Sequence, residues 1–395
     1  MRTLRQISSV TAMNLRSLRQ RLAASLVIVV GIAGVVAVLV SVLAMSTGMM
    51  QATSSSGRDD RAIVLARGAS AETMSSLTRE AVQEILNSPA VKRNTQDKPI
   101  ASGEALRLVS IPRLKDGVRV NVVVRGVGPQ AGELRPEIQL VEGIMFRPGL
   151  NEIVVGQSAR TQYRDLDVGG SIRMGAAVFR VVGIFKSGGD IRESELLTDF
   201  GTLLSGEPGV AYNSVTVQLT SRNAFDGFAR SLKSIATLSV DAHRESEYFA
   251  QQAVGITQLV SFFAFVVGGI MAVGALFAAL NTMYSAVSSR SREIAVLRAI
   301  GFGPVSVVVS VLMEALLLAF AGGVVGALVA WLLFDGNLSS SSPDDEYGEL
   351  MFRLSVDYSL MALGLTWACL IGFLGGIFPA VRAARQPVAA ALRAT

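Results

Sequence analysis

Four long apolar stretches constrain the fold of this 395-residue chain more than any other feature. Three of them contain no charged side chain, and the stretch 305–334 contains only Glu314. About 20 apolar residues allow a helix to cross the ~30 Å hydrocarbon core of a bilayer, whereas the core of a signal peptide has only ~7–15. We therefore predict four transmembrane helices, the first of them uncleaved: 22–46, 254–287 (with a stalk), 305–334 and 358–381.

Residues 47–253 differ in composition, since they are polar and contain all five lysines. Short runs rich in β-branched residues alternate here with two helical patterns and with glycine turn signals. We expect an α+β extracytoplasmic domain in which a β-rich centre, Glu142–Phe185, is inserted between two β-α-β parts. The predicted strands are Ala62–Ala66, Val118–Val124, Glu152–Val155, Ser171–Met174, Val178–Ile184, Ser214–Leu219 and Leu238–Asp241, and the predicted helices are Thr73–Leu86 and Ala224–Ile235.

The second apolar stretch is part of a longer helical segment. No proline interrupts the chain between Arg244 and Pro304. A helix that began near Arg244 would be ~70 Å long, which exceeds the hydrocarbon core by a wide margin. We therefore expect the excess to project into water as a stalk, unless Gly255 breaks the helix.

The distribution of arginine predicts the orientation of the chain. Residues 1–21 contain five arginines and no acid, and residues 288–304 and 382–395 contain three each, whereas the hairpin 335–357 contains only Arg353. Positive residues concentrate in cytoplasmic loops. Both termini and the loop 288–304 are thus predicted to be cytoplasmic, and 47–253 to lie outside. Residues 1–21 are expected to form an amphipathic helix on the cytoplasmic membrane surface, the alternative being an unstructured positive flank.

The loop 288–304 has the composition of a short helix that a second protein could bind. Gly301, Gly303 and Pro304 are natural stops for that helix. Glu293 lies within its apolar arc, where Arg290 or a partner protein would have to neutralise it. Helical spacing places Ile294, Val296, Leu297 and Ile300 on one side and Arg292, Ala295, Arg298 and Ala299 on the other.

Catalytic and metal-binding signatures are missing from the sequence. There is no phosphate-binding loop of the Gly-x-x-x-x-Gly-Lys type, so the chain is not expected to hydrolyse nucleotide itself. One His and one Cys make a His/Cys metal site implausible. His243 has no nucleophile context, and the basic residues do not cluster as in a nucleic-acid-binding protein. Glu314, an intramembrane carboxylate, is interpreted as an ion-pairing or hydrogen-bonding residue between helices rather than as a proton relay.

Three segments resemble the MacB/FtsX-type permeases of ABC transporters, also called type VII exporters or mechanotransmitters. The resemblance is strongest in the last 140 residues, and Glu142–Phe185 is similar to the outer domain of that family. The segments that carry it are Asn281-Thr-Met with Arg290-Ser-Arg-Glu-Ile-Ala-Val-Leu-Arg-Ala-Ile-Gly301, Glu314-Ala-Leu-Leu-Leu with Gly322-Gly-Val-Val-Gly326, and Phe378-Pro-Ala-Val-Arg-Ala-Ala-Arg-Gln-Pro-Val-Ala-Ala-Ala-Leu-Arg393.

The resemblance implies a function that spacing alone does not. It implies a homodimer that recruits two copies of an ABC ATPase, which binds the ATP and Mg²⁺, so that this chain binds no cofactor and is not an enzyme by itself. It also implies a location in the bacterial inner membrane and an outer domain with a Porter-like part (about 50–130 and 205–250) and an inserted Sabre-like β part (about 131–204). A fused ATPase domain is missing, so the ATPase is expected in trans. The implied ATPase-coupling residues are Arg290, Arg292, Glu293, Ile294, Leu297, Arg298, Ile300 and Gly301, and the intramembrane polar residues are Asn281 and Glu314.

Three functions remain open at this point. The first is an ATP-driven exporter or efflux permease, with a periplasmic adaptor and an outer-membrane channel as further partners in a double-membraned bacterium. The second keeps the same architecture but extracts lipoproteins or activates a cell-wall hydrolase. The third is a membrane sensor with an extracytoplasmic ligand domain. The lack of a cytoplasmic output domain counts against this third function.

Overall fold

The computed structural model describes residues 22–205, 212–235, 237–340 and 351–386. The predicted amphipathic helix at 1–21 and residues 387–395 of the predicted tail lie outside the described residues. Contacts divide the chain into two units. The membrane unit contains the chain up to Thr47, Gln258–Asn337 and the residues from Leu354 onward. The outer unit contains Gly48–Thr257 and Leu338–Arg353.

The described residues form ten α-helices and twelve strands. The helices are α1 Leu22–Ser55, α2 Arg79–Leu86, α3 Ala131–Leu134, α4 Gln157–Gln162, α5 Phe200–Leu203, α6 Phe225–Ser234, α7 Glu245–Ser289, α8 Ser291–Ala299, α9 Pro304–Phe334 and α10 Tyr358–Arg385. The strands are β1 Arg61–Ala66, β2 Ala101–Pro112, β3 Arg119–Val127, β4 Gln139–Gly143, β5 Glu152–Gly156, β6 Ser171–Met174, β7 Ala177–Lys186, β8 Leu196–Asp199, β9 Ser214–Gln218, β10 Val240–Arg244, β11 Leu338–Ser340 and β12 Met351–Arg353.

Four of the described helices (α1, α7, α9 and α10) are long and apolar enough to cross a membrane, as predicted. Three of them extend beyond the predicted spans by four residues or more. Helix α1 continues to Ser55, α10 continues to Arg385, and α7 is one uninterrupted helix of 45 residues from Glu245. Gly255 does not break α7, so the long helix predicted from the missing prolines is present.

Small residues bring the membrane helices together. A Cβ atom at Gly326 of α9 would lie 2.4 Å from the backbone oxygen of Ala33 in α1. A Cβ atom at Gly372 of α10 would lie 2.3 Å from the Cβ of Ala319 in α9. Helices in a bilayer associate through such close backbone approach, because lipid tails already satisfy apolar side chains. The glycines therefore set how closely α1, α9 and α10 pack.

A continuous mixed sheet forms the centre of the outer unit. Its strand order is β10-β1-β9-β2-β3-β8-β5-β7-β4, and β6 pairs with β7. Strand β2 joins the two halves, because Ala101–Glu104 pair with β9 whereas Ala105–Pro112 pair with β3. Helices α2 and α6 cover the half that contains β1 and β9. A second core contains the inserted strands together with side chains from Val109 to Val124.

Sequence patterns located seven of the ten strands of the large sheet but missed β2, β4 and β8, of which β2 is the longest. Its residues Ala101–Leu106 include Gly103, Glu104 and two alanines, which are depleted in strands. The predicted helix Thr73–Leu86 is also shorter than expected, since α2 begins at Arg79 after Thr78, whose side chain accepts a hydrogen bond from the backbone amide of Ala81. In the segment 335–357, the short strands β11 and β12 pair as expected for a hairpin.

Candidate functional site: helix α8 and a buried charge network

The predicted loop 288–304 contains the nine-residue helix α8. Arg290 occupies the position before its first turn and directly follows the last residue of α7. Gly301 has a φ of +103°, a backbone conformation that favours glycine, and it ends the helix. The sequence therefore predicted both the helix and its terminator.

The rotation of α8 differs from the predicted one. Ile294 and Ala295 are the residues buried against the membrane unit, whereas Val296 and Ile300 are 46% and 69% exposed. Glu293 is exposed as well, so it does not lie within a buried apolar arc. The small Ala295 side chain allows this face of α8 to pack closely, which helical spacing alone could not show. The outward stripe of α8 consists of Arg292, Glu293, Val296, Ala299 and Ile300.

Arg290 fixes the first end of α8 to the membrane bundle. Its Nη1 lies 3.1 Å from Oε2 of Glu314 in α9, and the two side chains are only 7% and 8% exposed. This is the interhelical ion pair expected for Glu314, and it means that Arg290 neutralises Glu314 rather than Glu293. Leaving one member of a buried pair without its partner costs about 3–5 kcal/mol. The pair therefore holds α8 against α9.

Arg298 fixes the other end of α8 to a different helix. Its Nη1 donates hydrogen bonds to the backbone oxygens of Ala384, at 2.8 Å, and Gln386, at 2.9 Å. These carbonyls belong to the last turn of α10 and the residue after it, where a helix has no internal donors left. An arginine also complements the negative end of the helix dipole.

The remaining predicted residues divide between this helix and its surroundings. Leu297 is half-buried and, together with Glu293, lines a cavity of about 20 Å³ beside the Arg290–Glu314 pair. That volume is sufficient for about one water molecule. Asn281 lies on an exposed face of α7 and does not contribute to the cavity. The predicted coupling residues thus all lie in α8 or directly next to it. Asn281, which was predicted only as an intramembrane polar residue, lies apart from them.

The outer unit contains a second cluster that the sequence did not predict. The Arg125 side chain contacts three carboxylates, those of Glu72 (2.8 Å), Glu104 (2.7 Å) and Glu195 (2.8 Å). All four side chains are buried. Arg135 also donates to Glu104 and, at 3.2 Å, to the hydroxyl of Thr216. Strands β1, β2, β3, β8 and β9 meet around this network, which connects the two halves of the sheet.

Another buried arginine of the outer unit, Arg192, joins the two chain segments that adjoin the membrane helices. It donates hydrogen bonds to the backbone oxygen of Ser56, at 2.5 Å, and to Glu245, at 2.8 Å. Ser56 follows α1 and Glu245 begins α7. At Gly57, a Cβ atom would lie 2.5 Å from the backbone of Glu245, so only glycine allows this approach. We call Ser56, Arg192 and Glu245 the stalk clamp.

Arg61 extends the clamp to the loop before β4. It lies 3.5 Å from Glu245 and donates to Glu137 at 2.5 Å. The members of the network are separated by up to 190 positions in the sequence, and no short motif links them. The sequence contained only a weak signal of this network. Charged residues such as Glu104 and Arg125 lie in strands among otherwise apolar neighbours.

Two buried acids of the outer unit, Glu104 and Asp190, have pKa values that are shifted in opposite directions. Burial opposes ionisation of Glu104, but the guanidinium groups of Arg135 and Arg125 outweigh it and lower its pKa to about 2. Burial also dominates at Asp190, which accepts hydrogen bonds from the Ser187 hydroxyl and the Arg192 amide, and it raises the pKa of Asp190 to about 6.

Replacing Asp190 by Asn is expected to raise the melting temperature at pH 8, and to raise it by about half as much at pH 5. Because the folded-state pKa of Asp190 is raised, its contribution to stability is complete below about pH 4 and is lost as pH rises through about 6. At pH 8 the wild type buries a charge that Asn lacks, which costs up to ~3 kcal/mol. Thermal denaturation of both proteins at the two pH values measures this. A shift of equal size at pH 5 and pH 8 would contradict a raised pKa.

Comparison with known proteins covers both units. Residues 22–235 match the family model described as the MacB-like periplasmic core domain, which is more than half of the chain. Residues 265–388 match the model described as the FtsX-like permease C-terminal domain. The second match contains α8, Glu314 and the end of α10, and the first contains Arg125, Arg135 and Arg192.

Individual relatives agree with these two matches. The macrolide export ATP-binding/permease protein MacB of Pectobacterium atrosepticum is 26% identical over 95% of this chain and 58% of its own length. An uncharacterized ABC transporter permease of Methanocaldococcus jannaschii is 26% identical over 55% of each chain. The chain spans about half the length of the curated relatives it matches. The periplasmic region of MacB from Actinobacillus actinomycetemcomitans aligns with 50% of this chain at 14% identity, covers 92% of its own chain and has a TM-score of 0.36.

These observations all indicate the same family. The chain has four membrane-type helices and an α/β outer unit, and the two family matches follow each other along the sequence in the expected order. The chain therefore belongs to the MacB/FtsX-type permeases of ABC transporters.

Proposed function

We propose that this chain is the force-transmitting permease subunit of an ATP-driven transporter. In this proposal, α8 is the coupling helix on which a nucleotide-binding partner docks, and the energy of ATP hydrolysis arrives there. The observation that carries it is the double attachment of α8: Arg290 holds α9 through Glu314, and Arg298 holds the end of α10. A displacement of α8 would therefore act on two membrane helices at once.

The outward stripe of α8 supports the docking role. Val296 and Ile300 are exposed apolar side chains next to one cation, Arg292, and one anion, Glu293. Interfaces between subunits combine an apolar centre with charged residues at the rim. Unlike the lipid-facing residues of the long helices, this stripe belongs to a short helix with charged neighbours, which favours a protein partner over lipid.

The long helix α7 provides a route toward the outer domain. It is a single helix from Glu245 of the stalk clamp to Ser289, and Arg290 follows directly. Because the helix is uninterrupted, it can transmit a tilt or a shift along its length. The clamp also holds Ser56, so α1 and α7 would move the outer domain together. We infer that the work of transport is performed by this domain.

The assembly that follows from the proposal has several parts. It contains a homodimer of this chain and two nucleotide-binding subunits or domains, and those bind the ATP and Mg²⁺, so the residues of this chain need not hydrolyse nucleotide. The proposed location is the bacterial inner membrane, with both termini and α8 in the cytoplasm and the outer domain in the periplasm. Because the related MacB proteins are named for macrolide export, export or efflux is the favoured process, and a periplasmic adaptor and an outer-membrane channel are its expected further partners.

A second role is compatible with the same architecture. The stalk clamp would equally serve a permease that extracts lipoproteins or activates a cell-wall hydrolase. Affinity purification of the full chain, followed by identification of stoichiometric partners, distinguishes these roles. An ATPase with an adaptor supports export, and an ATPase with a hydrolase supports activation. Recovery of the intact chain without any nucleotide-binding partner would overturn the proposal and favour a membrane sensor.

A further inference from the structure

A second candidate site lies near the end of α10. It is a groove of about 580 Å³ between the last turns of α7 and α10. The Arg382 guanidinium carbon lies 5.6 Å from the centre of the Tyr284 ring, within the range of a cation–π contact. We call it the terminal groove; its lining residues are Tyr284, Ile377, Phe378, Val381, Arg382 and Arg385.

The charge of the terminal groove is not neutralised within the part of the chain that the structure describes. Arg382 and Arg385 are exposed, and neither forms an ion pair with a described carboxylate. Arg298 brings a third guanidinium to the same helix end through its bonds to Ala384 and Gln386. Backbone carbonyls at a helix C-terminus compensate only part of this charge. The groove therefore favours a ligand that carries a negative charge.

Apolar residues lead from the groove along the outside of the bundle. Leu370, Leu374 and Phe378 follow one another at one-turn intervals on α10 and are 53%, 47% and 62% exposed. Since α10 is a membrane-type helix, this stripe faces hydrocarbon, and it ends at the two arginines one turn further on. A single molecule with a phosphate group and an acyl chain would match both features. Its phosphate would bind the arginines, and its acyl chain would lie along the stripe.

We propose that the terminal groove binds an anionic phospholipid. Arginine binds phosphate oxygens through several N–H donors at once, and basic pockets between transmembrane helices bind lipid headgroups. The continuity between the charged groove and the apolar stripe favours a lipid over a free phosphate, which would use only the arginines. Tyr284 is an aromatic residue with a polar tip, a type enriched at the membrane–water interface.

The position of the groove gives the bound lipid a consequence. Ala384 and Gln386, whose carbonyls hold Arg298, flank Arg385 in the chain. An anion at Arg385 also lowers the repulsion between Arg298 and its cationic neighbours. A bound anionic lipid would thus stabilise the attachment of α8 to α10. The binding of lipid is independent of the transport proposal, whereas this consequence for coupling rests on it.

Native mass spectrometry of the full chain in detergent tests the binding. We expect phosphatidylglycerol to be retained in preference to phosphatidylcholine of the same acyl chains, because only the former carries a net negative charge. The double variant Arg382→Gln, Arg385→Gln is expected to reduce this retention about tenfold or more, since each basic residue contributes about fivefold. The double variant Arg382→Lys, Arg385→Lys keeps the charge, and it should retain most of the binding.

The matched control is Arg292→Gln, which removes an exposed arginine outside the groove and should leave lipid retention unchanged. Equal retention of the two lipids would overturn the proposal, as would an equal loss in the Arg292→Gln protein. Inorganic phosphate added at the concentration of the lipid distinguishes the two phosphate sources. If phosphate alone displaced phosphatidylglycerol, the groove would be a simple anion site and the lipid proposal would be wrong.

Discussion

Replacing Val296 and Ile300 by Asp is expected to abolish co-purification of the nucleotide-binding partner while the chain remains inserted and folded. Both side chains are exposed on the outward stripe of α8, so neither supports the membrane bundle. Apolar side chains at the centre of an interface typically contribute ~2–4 kcal/mol each, and a buried carboxylate adds a desolvation cost. A loss of ~2–4 kcal/mol at even one of these positions lowers affinity roughly 30-fold or more. Pull-down of the tagged chain, with quantification of the bound partner, measures this.

Val141→Asp is the matched control for this experiment. Val141 is 51% exposed on β4 of the outer unit, so the change has the same chemistry at a position outside α8. We expect this variant to bind the partner as the wild type does. Full retention of the partner by the Val296→Asp, Ile300→Asp protein would remove α8 from its proposed role. Leu297→Asp is less suitable because Leu297 is half-buried beside the Arg290–Glu314 pair, and a carboxylate there would disturb the bundle itself.

Replacing Arg125 by Leu is expected to destabilise the outer unit strongly. The substitution leaves Glu72, Glu104 and Glu195 buried without their shared cation. An uncompensated buried charge costs about 3–5 kcal/mol, which for a unit of this size lowers the melting temperature by roughly 6–20 °C. Thermal denaturation of the full chain, followed by near-ultraviolet circular dichroism, measures the shift.

Arg160→Leu is the control for Arg125→Leu. Arg160 also pairs with carboxylates, those of Glu142 at 2.7 Å and Asp167 at 2.8 Å, but these two side chains are 50% and 78% exposed. Water screens such a pair, so its loss should leave the melting temperature nearly unchanged. Similar shifts in the two variants would show that Arg125 stabilises the fold through packing and not through charge.

Measuring the melting temperature at acidic pH provides a second test of the Arg125→Leu variant. In the wild type the folded-state pKa of Glu104 is lowered to about 2, so its stabilising contribution is present above about pH 4.5 and is lost as pH falls toward 2. Without Arg125, the buried carboxylates take up protons at higher pH than in the wild type. The difference in melting temperature between the two proteins should therefore narrow as pH falls from 7 to 4.5.

Much of the architecture was predictable because it depends on local sequence patterns. Long apolar stretches with at most one charged residue predicted the four membrane helices, and the missing prolines before Pro304 predicted the unbroken length of α7. Most strands of the outer unit follow from their β-branched residues. Strand β2 was missed because its first half contains Gly103 and Glu104, which a tertiary network stabilises and local propensity does not.

The candidate site was predictable in its location but not in its orientation. Glycine and arginine positions located α8, yet the face that is buried depends on contacts from α9 and α10, which lie near in space only after folding. Arg290 pairs with Glu314, 24 positions away, instead of with Glu293 in the next turn. The stalk clamp was beyond prediction for the same reason, since Ser56, Arg192 and Glu245 become neighbours only through the strand order of the sheet.

The proposal that α8 and α7 transmit force is tested most directly by a distance measurement across the proposed homodimer. Spin labels at Gln251→Cys, an exposed position near the start of α7, would report the separation of the two stalks in a Cys369→Ala background. We predict that the mean distance between the labels differs between the nucleotide-free and ATP-bound complexes. We also predict that the Val296→Asp, Ile300→Asp variant shows no such difference. An unchanged distance in a complex that binds and hydrolyses ATP would contradict the proposal.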